Sequence, residues 1–124
     1  MENNKKILIV DDDEFLLDMY ATKFRSVNID VEIASNVPEA LDKIYAGFNP
    51  QVVLLDLIMQ GPDGFDFLER VKKENLLKDS KIIILSNLGQ KEDIEKGLKM
   101  GAYSYLIKAY YTPSEIVKKV KELL

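Results

Sequence analysis

With 124 residues, the chain has the length of a single domain whose core needs no disulfide or metal to support it. Cysteine and histidine are both absent, which excludes disulfide bonds, thiolate metal sites and a phosphohistidine on this chain. The net charge of −4 offers no overall basic surface to nucleic acid, and the longest apolar runs are too short to cross a bilayer. We therefore expect a cytoplasmic protein that binds neither membrane nor nucleic acid directly.

Five short segments rich in β-branched and aromatic residues are predicted to be strands. Several are unbroken apolar runs, which are typical of strands covered on both faces in a parallel sheet. Each is followed by a segment with helical periodicity, and this strict alternation with short connections predicts an α/β fold with helices on both faces of an open sheet. The predicted strands span residues 7–10, 31–34, 52–55, 82–85 and 103–107.

The predicted helices have recognisable ends and apolar faces. Asn36 with Glu39 three residues later marks one start, and TPSE at residues 112–115 marks another as a capping box with Pro at the first helical position. Gly101 is predicted to end the fourth helix, whose apolar face is thin and whose packing is expected to be loose. The core-facing positions are Leu16, Tyr20, Phe24 and Val27; Val37, Leu41, Ile44 and Phe48; Phe65, Leu68 and Val71; Ile94 and Leu98; and Ile116, Val120 and Leu123.

Polar residues directly follow four of the predicted strands. In open parallel sheets ligands bind outside the carboxyl ends of the strands, so these side chains are expected to converge on one crevice. They are Asp11, Asp12 and Asp13 after the first strand, Asp56 after the third, Ser86 after the fourth and Lys108 after the fifth. The topology thus predicts a site at this edge of the sheet.

The residue types at this edge favour phosphoryl chemistry. Clustered carboxylates repel one another unless positive charge compensates, and Lys108 and a divalent cation are the available compensators. Oxygen ligands alone favour a hard ion such as Mg²⁺ over zinc. An aspartate beside such an ion and a lysine can attack phosphorus and form an acyl phosphate. Asp56 is predicted to lie beside both.

Five short motifs resemble, in order, those of the response-regulator receiver domains of two-component signalling, the CheY-like superfamily. They are ILIVDDD at residues 7–13, LLDLIM at 54–59, DG at 63–64, ILS at 84–86 and YLIK at 105–108. The resemblance implies a flavodoxin-like (βα)5 fold with strand order 2-1-3-4-5. It also implies one receiver domain over residues 1–124, with no output domain in this chain.

The resemblance further implies roles for residues at the crevice. Asp56 would accept a phosphoryl group from the phosphohistidine of a sensor histidine kinase or a histidine phosphotransfer protein. Asp12, Asp56 and the backbone carbonyl of Ile58 would bind Mg²⁺, with Asp11 nearby and acting mainly through water. Lys108 would pair with the acyl phosphate. Such a domain catalyses only its own phosphorylation and dephosphorylation.

The same resemblance implies how the signal leaves the site. The Ser86 hydroxyl would hydrogen-bond a phosphoryl oxygen, and Tyr105 resembles the aromatic residue that swings inward when the switch closes. The surface of the fourth helix and fifth strand would then act on an effector protein or a detached output domain. Dimerisation through the fourth and fifth segments, dependent on phosphorylation, is a further hypothesis beside a monomer.

Three positions depart from the family pattern. Gln60 stands where proline is frequent, so the loop after the phosphoacceptor is expected to run differently. Asn87 replaces a small residue, which predicts narrower access and slower phosphate turnover. Ala109 replaces the proline of a cis Lys-Pro bond, and a cis bond before alanine costs about 2.5–4 kcal/mol, against about 0.5–1 before proline. Either that strain is tolerated or Lys108 sits differently.

Other interpretations fit parts of the pattern. Acidic residues at 11–14 also suit a helix N-terminus, and Lys108 or Tyr105 alone would be unremarkable on a surface or in a core. Asp56 is different, because a carboxylate between apolar runs is costly to bury unpaired. The departures motivate a pseudo-receiver, an interaction module that ignores phosphate. A phosphohydrolase would need room for a substrate and a cap insertion, and no connection is long enough.

Overall fold

In a computed structural model, which describes residues 5–124, five β-strands alternate with five α-helices along the chain. Among these residues no helix is both long enough and apolar enough to span a bilayer. The elements are β1 (Lys6–Val10), α1 (Glu14–Arg25), β2 (Asp30–Ala34), α2 (Val37–Tyr45), β3 (Val52–Leu55), α3 (Gly64–Lys73), β4 (Lys81–Ser86), α4 (Lys91–Lys99), β5 (Ser104–Ile107) and α5 (Pro113–Lys121). A 3₁₀ turn at Lys108–Tyr110 connects β5 to α5.

The strands form one parallel sheet in the order β2-β1-β3-β4-β5. The central strand β3 is buried along its whole length, as its run of apolar residues predicted. The prediction of a single-domain α/β fold with strand order 2-1-3-4-5 and helices on both faces is confirmed.

Each face of the sheet is covered by its own hydrophobic core. On one face α1 and α5 pack through Phe24 and Ile116, which are both fully buried. On the other face α2 and α3 pack through Leu41 and Phe67. Successive residues of β1 alternate between the two cores, as the period of a strand requires. Because apolar cores cover both faces, the ends of the strands are the part of the sheet where polar side chains can form a site.

The end of α1 differs from the prediction. The helix stops at Arg25 because the chain turns at Asn28, which has a left-handed φ of 66° that asparagine tolerates better than most residues. Val27 therefore lies beyond the helix and is 39% exposed instead of facing the core. Leu17 takes the fully buried place, and Leu16 packs at its edge.

The thin apolar face predicted for α4 is confirmed. Within Lys91–Lys99 only Gly97 is buried, and Leu98 is 44% exposed. A Cβ at position 97 would come 2.5 Å from Ile84 Cδ1, so α4 lies against the sheet where it has no side chain. Gly101 follows the helix with φ +111°, the left-handed conformation of a helix end.

The side chains predicted to cap helix starts do so. Asn36 Oδ1 accepts a hydrogen bond from Glu39 N at 2.8 Å. Thr112 and Glu115 form the predicted reciprocal capping box at the start of α5. Asp63 heads a second capping box, at the start of α3, which the sequence pattern did not single out. These bonds satisfy amides that the first turn of a helix leaves without partners.

Replacing Thr112 with Ala is expected to lower the free energy of unfolding by about 1 kcal/mol, because Glu115 N loses its acceptor. Chemical denaturation measures the change. Ser114→Ala, at an exposed position of the same turn, is the matched control and should shift stability by less than about 0.5 kcal/mol. Equal stability of the two variants would show that this cap contributes nothing.

Candidate functional site

The carboxyl ends of β1 and β3 bring three carboxylates to one crevice. Asp11 and Asp56 follow these neighbouring strands and are only 4% and 7% exposed, whereas Asp12 is open to solvent. One oxygen from each of the three side chains lies within 4.8 Å of the others. The sheet therefore gathers acidic groups that are distant in sequence, and it holds two of them away from water.

Lys108, at the end of β5, supplies positive charge to this cluster. Its Nζ donates to Asp11 Oδ2 at 2.7 Å and to Asp56 Oδ2 at 3.1 Å. The lysine side chain is 14% exposed, so water screens these charges only weakly. The Lys108–Ala109 peptide bond is trans. The ammonium group thus reaches both carboxylates without the cis bond of the family.

Burial and pairing shift the pKa values of two of these groups. Burial raises the pKa of Asp11 above its ordinary value, although hydrogen bonds from Lys108 and from the Asp13 amide act in the opposite direction. Burial would lower the pKa of Lys108, but the hydrogen bond to Asp11 and the charges of Asp56 and Asp11 together raise it. The carboxylates therefore keep the lysine protonated.

Backbone amides orient the two buried carboxylates. Asp13 N donates to Asp11 Oδ1 at 2.9 Å, and Leu57 N donates to Asp56 Oδ1 at 2.7 Å. The Oδ2 atoms are the ones that meet Lys108. Asp13 itself caps α1 by accepting from Phe15 N at 3.1 Å. The acidic run therefore serves both purposes considered for it: Asp13 starts a helix, while its two neighbours join the cluster.

The loop after Asp56 is held close to α3 by a glycine. Gly64 N donates to Leu57 O at 3.0 Å, and a Cβ at position 64 would come 2.4 Å from the backbone oxygen of Asp56. A larger residue would push the loop away from the helix. Ile58 lies in this loop with its side chain 57% exposed, and its amide approaches Asp56 Oδ1 at 3.4 Å.

Ser86, the last residue of β4, and Tyr105, in β5, make their hydrogen bonds away from the carboxylate cluster. Ser86 is fully buried, and its Oγ accepts from Leu88 N at 3.3 Å. The Tyr105 hydroxyl donates to the carbonyl of Leu88. Within the part of the chain that the structure describes, neither hydroxyl bonds to an aspartate of the cluster. Both hold the loop between β4 and α4.

Asn87 makes a contact that the sequence interpretation missed. Its Oδ1 accepts a hydrogen bond from Ala109 N at 3.0 Å, which ties the β4–α4 loop to the turn after β5. The sequence contains a partial signal for this bond. Alanine in place of proline restores a backbone N–H that can donate, but the sequence does not name the acceptor.

The Tyr105 hydroxyl is expected to ionise at a higher pH than an ordinary tyrosine. Burial raises its pKa to about 12, and the negative charges of Asp93 and Asp56 act in the same direction. A spectrophotometric titration of the folded protein should therefore contain a late phenolate component that Tyr105→Phe removes. Tyr103→Phe is the control, because Tyr103 is 55% exposed. Loss of the late component in the Tyr103 variant instead would contradict the assignment.

The same shift predicts the direction of a stability change at high pH. An unfolded tyrosine ionises near pH 10.0, well before folded Tyr105 does. The contribution of the neutral hydroxyl is therefore complete below pH 10.0 and is lost as pH rises towards about 12. Tyr105→Phe should lose less stability than the parent chain over this range.

Comparison with known proteins is unambiguous about the family. The model of the response regulator receiver domain family matches residues 7–121. The probable transcriptional regulator ycf27 of Porphyra purpurea is 35% identical over 125 residues, which cover 100% of this chain and 49% of that protein. The phosphate regulon transcriptional regulatory protein PhoB of Pseudomonas aeruginosa is 31% identical over 120 residues, covering 97% of this chain and 52% of the relative. The chain thus spans about half the length of these curated relatives.

Similar solved structures support the same family assignment. The receiver domain of the Francisella response regulator 1452 is 33% identical, with a TM-score of 0.84 over 97% of this chain and 96% of that one. The chemotaxis protein CheY4 of Vibrio cholerae is 26% identical, with a TM-score of 0.88 over 98% of this chain and 100% of that one. Fold, motifs and relatives coincide over nearly the whole chain, which therefore belongs to the response regulator receiver domain family.

Proposed function

We propose that the chain is a phosphorylation-dependent signalling switch, in which Asp56 accepts a phosphoryl group from the phosphohistidine of a sensor histidine kinase or a histidine phosphotransfer protein. One observation supports this above all. Asp56 Oδ2 lies 3.1 Å from Lys108 Nζ, inside a group of three carboxylates whose oxygens lie within 4.8 Å of one another. Such a group combines a nucleophile with the charges that phosphoryl transfer needs.

In the proposed reaction an oxygen of Asp56 attacks the phosphorus atom of the donor. An O–P bond forms and the N–P bond to the donor imidazole breaks, so its electron pair stays on the ring nitrogen, which takes a proton from water. Lys108 offsets the negative charge of the transferred oxygens, and Leu57 N keeps the attacking carboxylate oriented. Water later attacks the phosphorus, the O–P bond to Asp56 breaks, and inorganic phosphate leaves while the carboxylate is restored. The domain therefore acts on no outside substrate.

The residues of the crevice fit Mg²⁺. All three side chains offer oxygen, and the chain has no histidine or cysteine to favour a softer metal. Asp12, Asp56 and the backbone carbonyl of Ile58 would hold the ion, with Asp11 contributing mainly through water. Asp12 is exposed, and among the described residues its carboxylate has no hydrogen-bond donor that would compete. When bound, the ion would supply positive charge next to the reacting oxygens.

Ser86 and Tyr105 offer a route from the crevice to the surface. The Ser86 hydroxyl would leave Leu88 N and bond a phosphoryl oxygen, while the carbonyl of Leu88 accepts from Tyr105. A change at Ser86 would therefore move a loop that Tyr105 holds. It would also shift α4, which packs lightly on the sheet through Gly97. The surface of α4 and β5 would then act on an effector protein or a detached output domain.

Exposed apolar side chains near the crevice suit a protein partner. Phe15 is 76% exposed, Ile58 57% and Tyr110 76%. They belong to the start of α1, just after the loop of Asp11 and Asp12, and to the loop after β3 and the turn after β5, which carry Asp56 and Lys108. Burial of such side chains would stabilise a complex with a phosphohistidine-bearing protein.

We propose that the transfer of the phosphoryl group takes place in the cytoplasm.

The direct test is intact mass after incubation with acetyl phosphate. The protein is expected to gain one phosphoryl group with Mg²⁺ and none with a chelator. Borohydride converts an aspartyl phosphate to homoserine, so peptide mapping after reduction should place homoserine at position 56. Homoserine at another position would overturn the assignment of Asp56, and a gain that is independent of Mg²⁺ would overturn the role of the ion.

A pseudo-receiver is the second candidate, because Gln60, Asn87 and Ala109 depart from the family pattern at the site. Its signature would be a folded protein that gains no mass under any condition and shows no change in thermal unfolding temperature with Mg²⁺. A folded protein of this kind would act through its surface alone.

A further inference from the structure

We propose that Asn87 is a positioning residue for phosphoryl transfer, because its hydrogen bond to the Ala109 amide braces the two loops that carry Ser86 and Lys108. This inference rests on the proposed function. It extends that function by naming a group that touches neither the phosphoryl group nor the metal.

The brace lies directly beyond the end of the sheet. The last β4–β5 pair is Ser86 with Ile107, so the ladder stops one residue before Asn87 on one strand and one before Lys108 on the other. The 3.0 Å bond from Ala109 N to Asn87 Oδ1 continues the connection across this gap. It joins the residue after Ser86 to the residue after Lys108, so the two phosphoryl-binding groups are held through their immediate neighbours.

The donor and the acceptor of the brace both belong to positions that depart from the family pattern. Proline at position 109 would have no N–H to donate, and a small residue at position 87 would have no side-chain acceptor. The two departures from the family pattern therefore complement each other. A trans Lys108–Ala109 bond with a tied amide holds Lys108 Nζ at 2.7 Å from Asp11 and 3.1 Å from Asp56.

The location of Lys108 Nζ affects the rate because, in the proposed reaction, it must contact the phosphoryl oxygens as their negative charge develops. A displacement of about 1 Å can slow a positioned reaction by up to about 100-fold. Asn87 is exposed and its loop has few other restraints, namely the bonds of Leu88 to Ser86 and Tyr105. Loss of the brace is therefore expected to loosen Lys108 without unfolding the domain.

A steric role makes the opposite prediction and is separable by side-chain volume. If Asn87 only narrowed access to Asp56, then Asn87→Ala would speed phosphoryl uptake and the bulkier Asn87→Leu would slow it, so the alanine variant separates the two roles. If Asn87 is a brace, both variants lose the acceptor and both slow uptake. Asn87→Asp keeps an oxygen at the same place and is the conservative rescue.

The experiment measures two quantities in the full chain: the rate of uptake from acetyl phosphate at saturating Mg²⁺, and the hydrogen exchange of the Ala109 amide by NMR. Asn87→Ala and Asn87→Leu are expected to slow uptake by about tenfold or more and to expose the amide to exchange. Asn87→Asp is expected to keep the amide protected and to recover most of the rate. Gln90→Ala, at an exposed amide of the same loop with no capping bond, is the matched control.

Several results would overturn the proposal. Rapid exchange of Ala109 in the parent chain would show that the brace does not form. A protected amide in the parent chain with unchanged uptake in the Ala and Leu variants would show a bond without a positioning role. A parent chain that takes up no phosphoryl group would overturn the proposed function and the role in transfer with it, and the exchange of Ala109 would still report whether the bond exists.

Discussion

Replacing Asp56 with Asn is expected to abolish phosphoryl uptake while the domain stays folded. The amide has nearly the shape of the carboxylate and keeps an oxygen that can accept from Leu57 N, so the loop after β3 retains this hydrogen bond. It lacks the negative oxygen that attacks phosphorus, so no acyl phosphate forms. Intact mass with acetyl phosphate and Mg²⁺ should show no added phosphoryl group, and circular dichroism should show an intact fold.

Asp30→Asn is the matched control for this substitution. Asp30 is an exposed carboxylate at the first position of β2. It therefore lies at the amino ends of the strands, whereas the crevice lies at their carboxyl ends. It should take up the phosphoryl group at the rate of the parent chain. Uptake by the Asp56 variant at a comparable rate would mean that another carboxylate is the acceptor, and the proposed role of Asp56 would be wrong.

The sequence predicted the fold and the convergence of the acidic residues for the same physical reason. Unbroken apolar runs such as residues 52–55 require a sheet covered on both faces, and parallel strands carry the residues that follow them to a common edge. Asp11, Asp12, Asp56 and Lys108 lie together for that reason. Alternation of strand and helix is a long-range pattern, so errors of one or two residues at element ends do not disturb it.

The individual contacts within the site were harder to predict. Three successive aspartates look alike in sequence, yet the path of the chain after β1 buries Asp11 against Lys108, exposes Asp12 and makes Asp13 a helix cap. The structure adds a direct pairing of Asp11 with Lys108 that the sequence did not specify, whereas the action of Asp11 on the metal through water stays a prediction. Burial of a single side chain depends on backbone direction at one residue, which composition and periodicity do not specify.

Asn87 illustrates the same limit in another way. The predicted narrowing of access to Asp56 by its size stays a prediction, and its Oδ1 accepts a hydrogen bond from an amide 22 residues away along the chain. Neither Asn87 nor Ala109 identifies the other as its partner in sequence, because the two meet only when β4 and β5 lie side by side. Paired departures at the ends of adjacent strands are therefore more informative than either one.

Replacing Lys108 with Met should have a large effect on both stability and phosphoryl uptake. Methionine keeps most of the apolar length of the side chain but leaves Asp11 and Asp56 buried without their counter-charge. Removing one partner of a buried ion pair costs about 3–5 kcal/mol, and a site with some solvent access belongs at the low end, so we expect a loss of about 3 kcal/mol at neutral pH. Uptake from acetyl phosphate should fall by about 100-fold, since a charged donor to the reacting oxygens is lost.

The pH dependence of this loss has a definite sign. Lys108 lowers the pKa of Asp11, so its removal raises that pKa further above the ordinary value of 3.8. Below pH 3.8 such a carboxyl group is protonated in both the folded and the unfolded chain, so it does not change the free energy of unfolding. As pH rises from 3.8 through the raised pKa of the folded chain, the free energy of unfolding falls. The difference in stability between the parent chain and Lys108→Met should therefore shrink as pH falls towards 4.

Chemical denaturation at neutral and acidic pH, with and without Mg²⁺, measures these effects. Mg²⁺ should stabilise the Lys108 variant more than the parent chain, because the ion supplies the positive charge that the lysine no longer contributes. Lys99→Met, at an exposed position of α4, is the control and should change stability by less than about 0.5 kcal/mol. If the Lys108 variant were as stable as the control at neutral pH, the lysine would not be offsetting the repulsion between Asp11 and Asp56. The requirement for positive charge at this site would then fall on the metal alone.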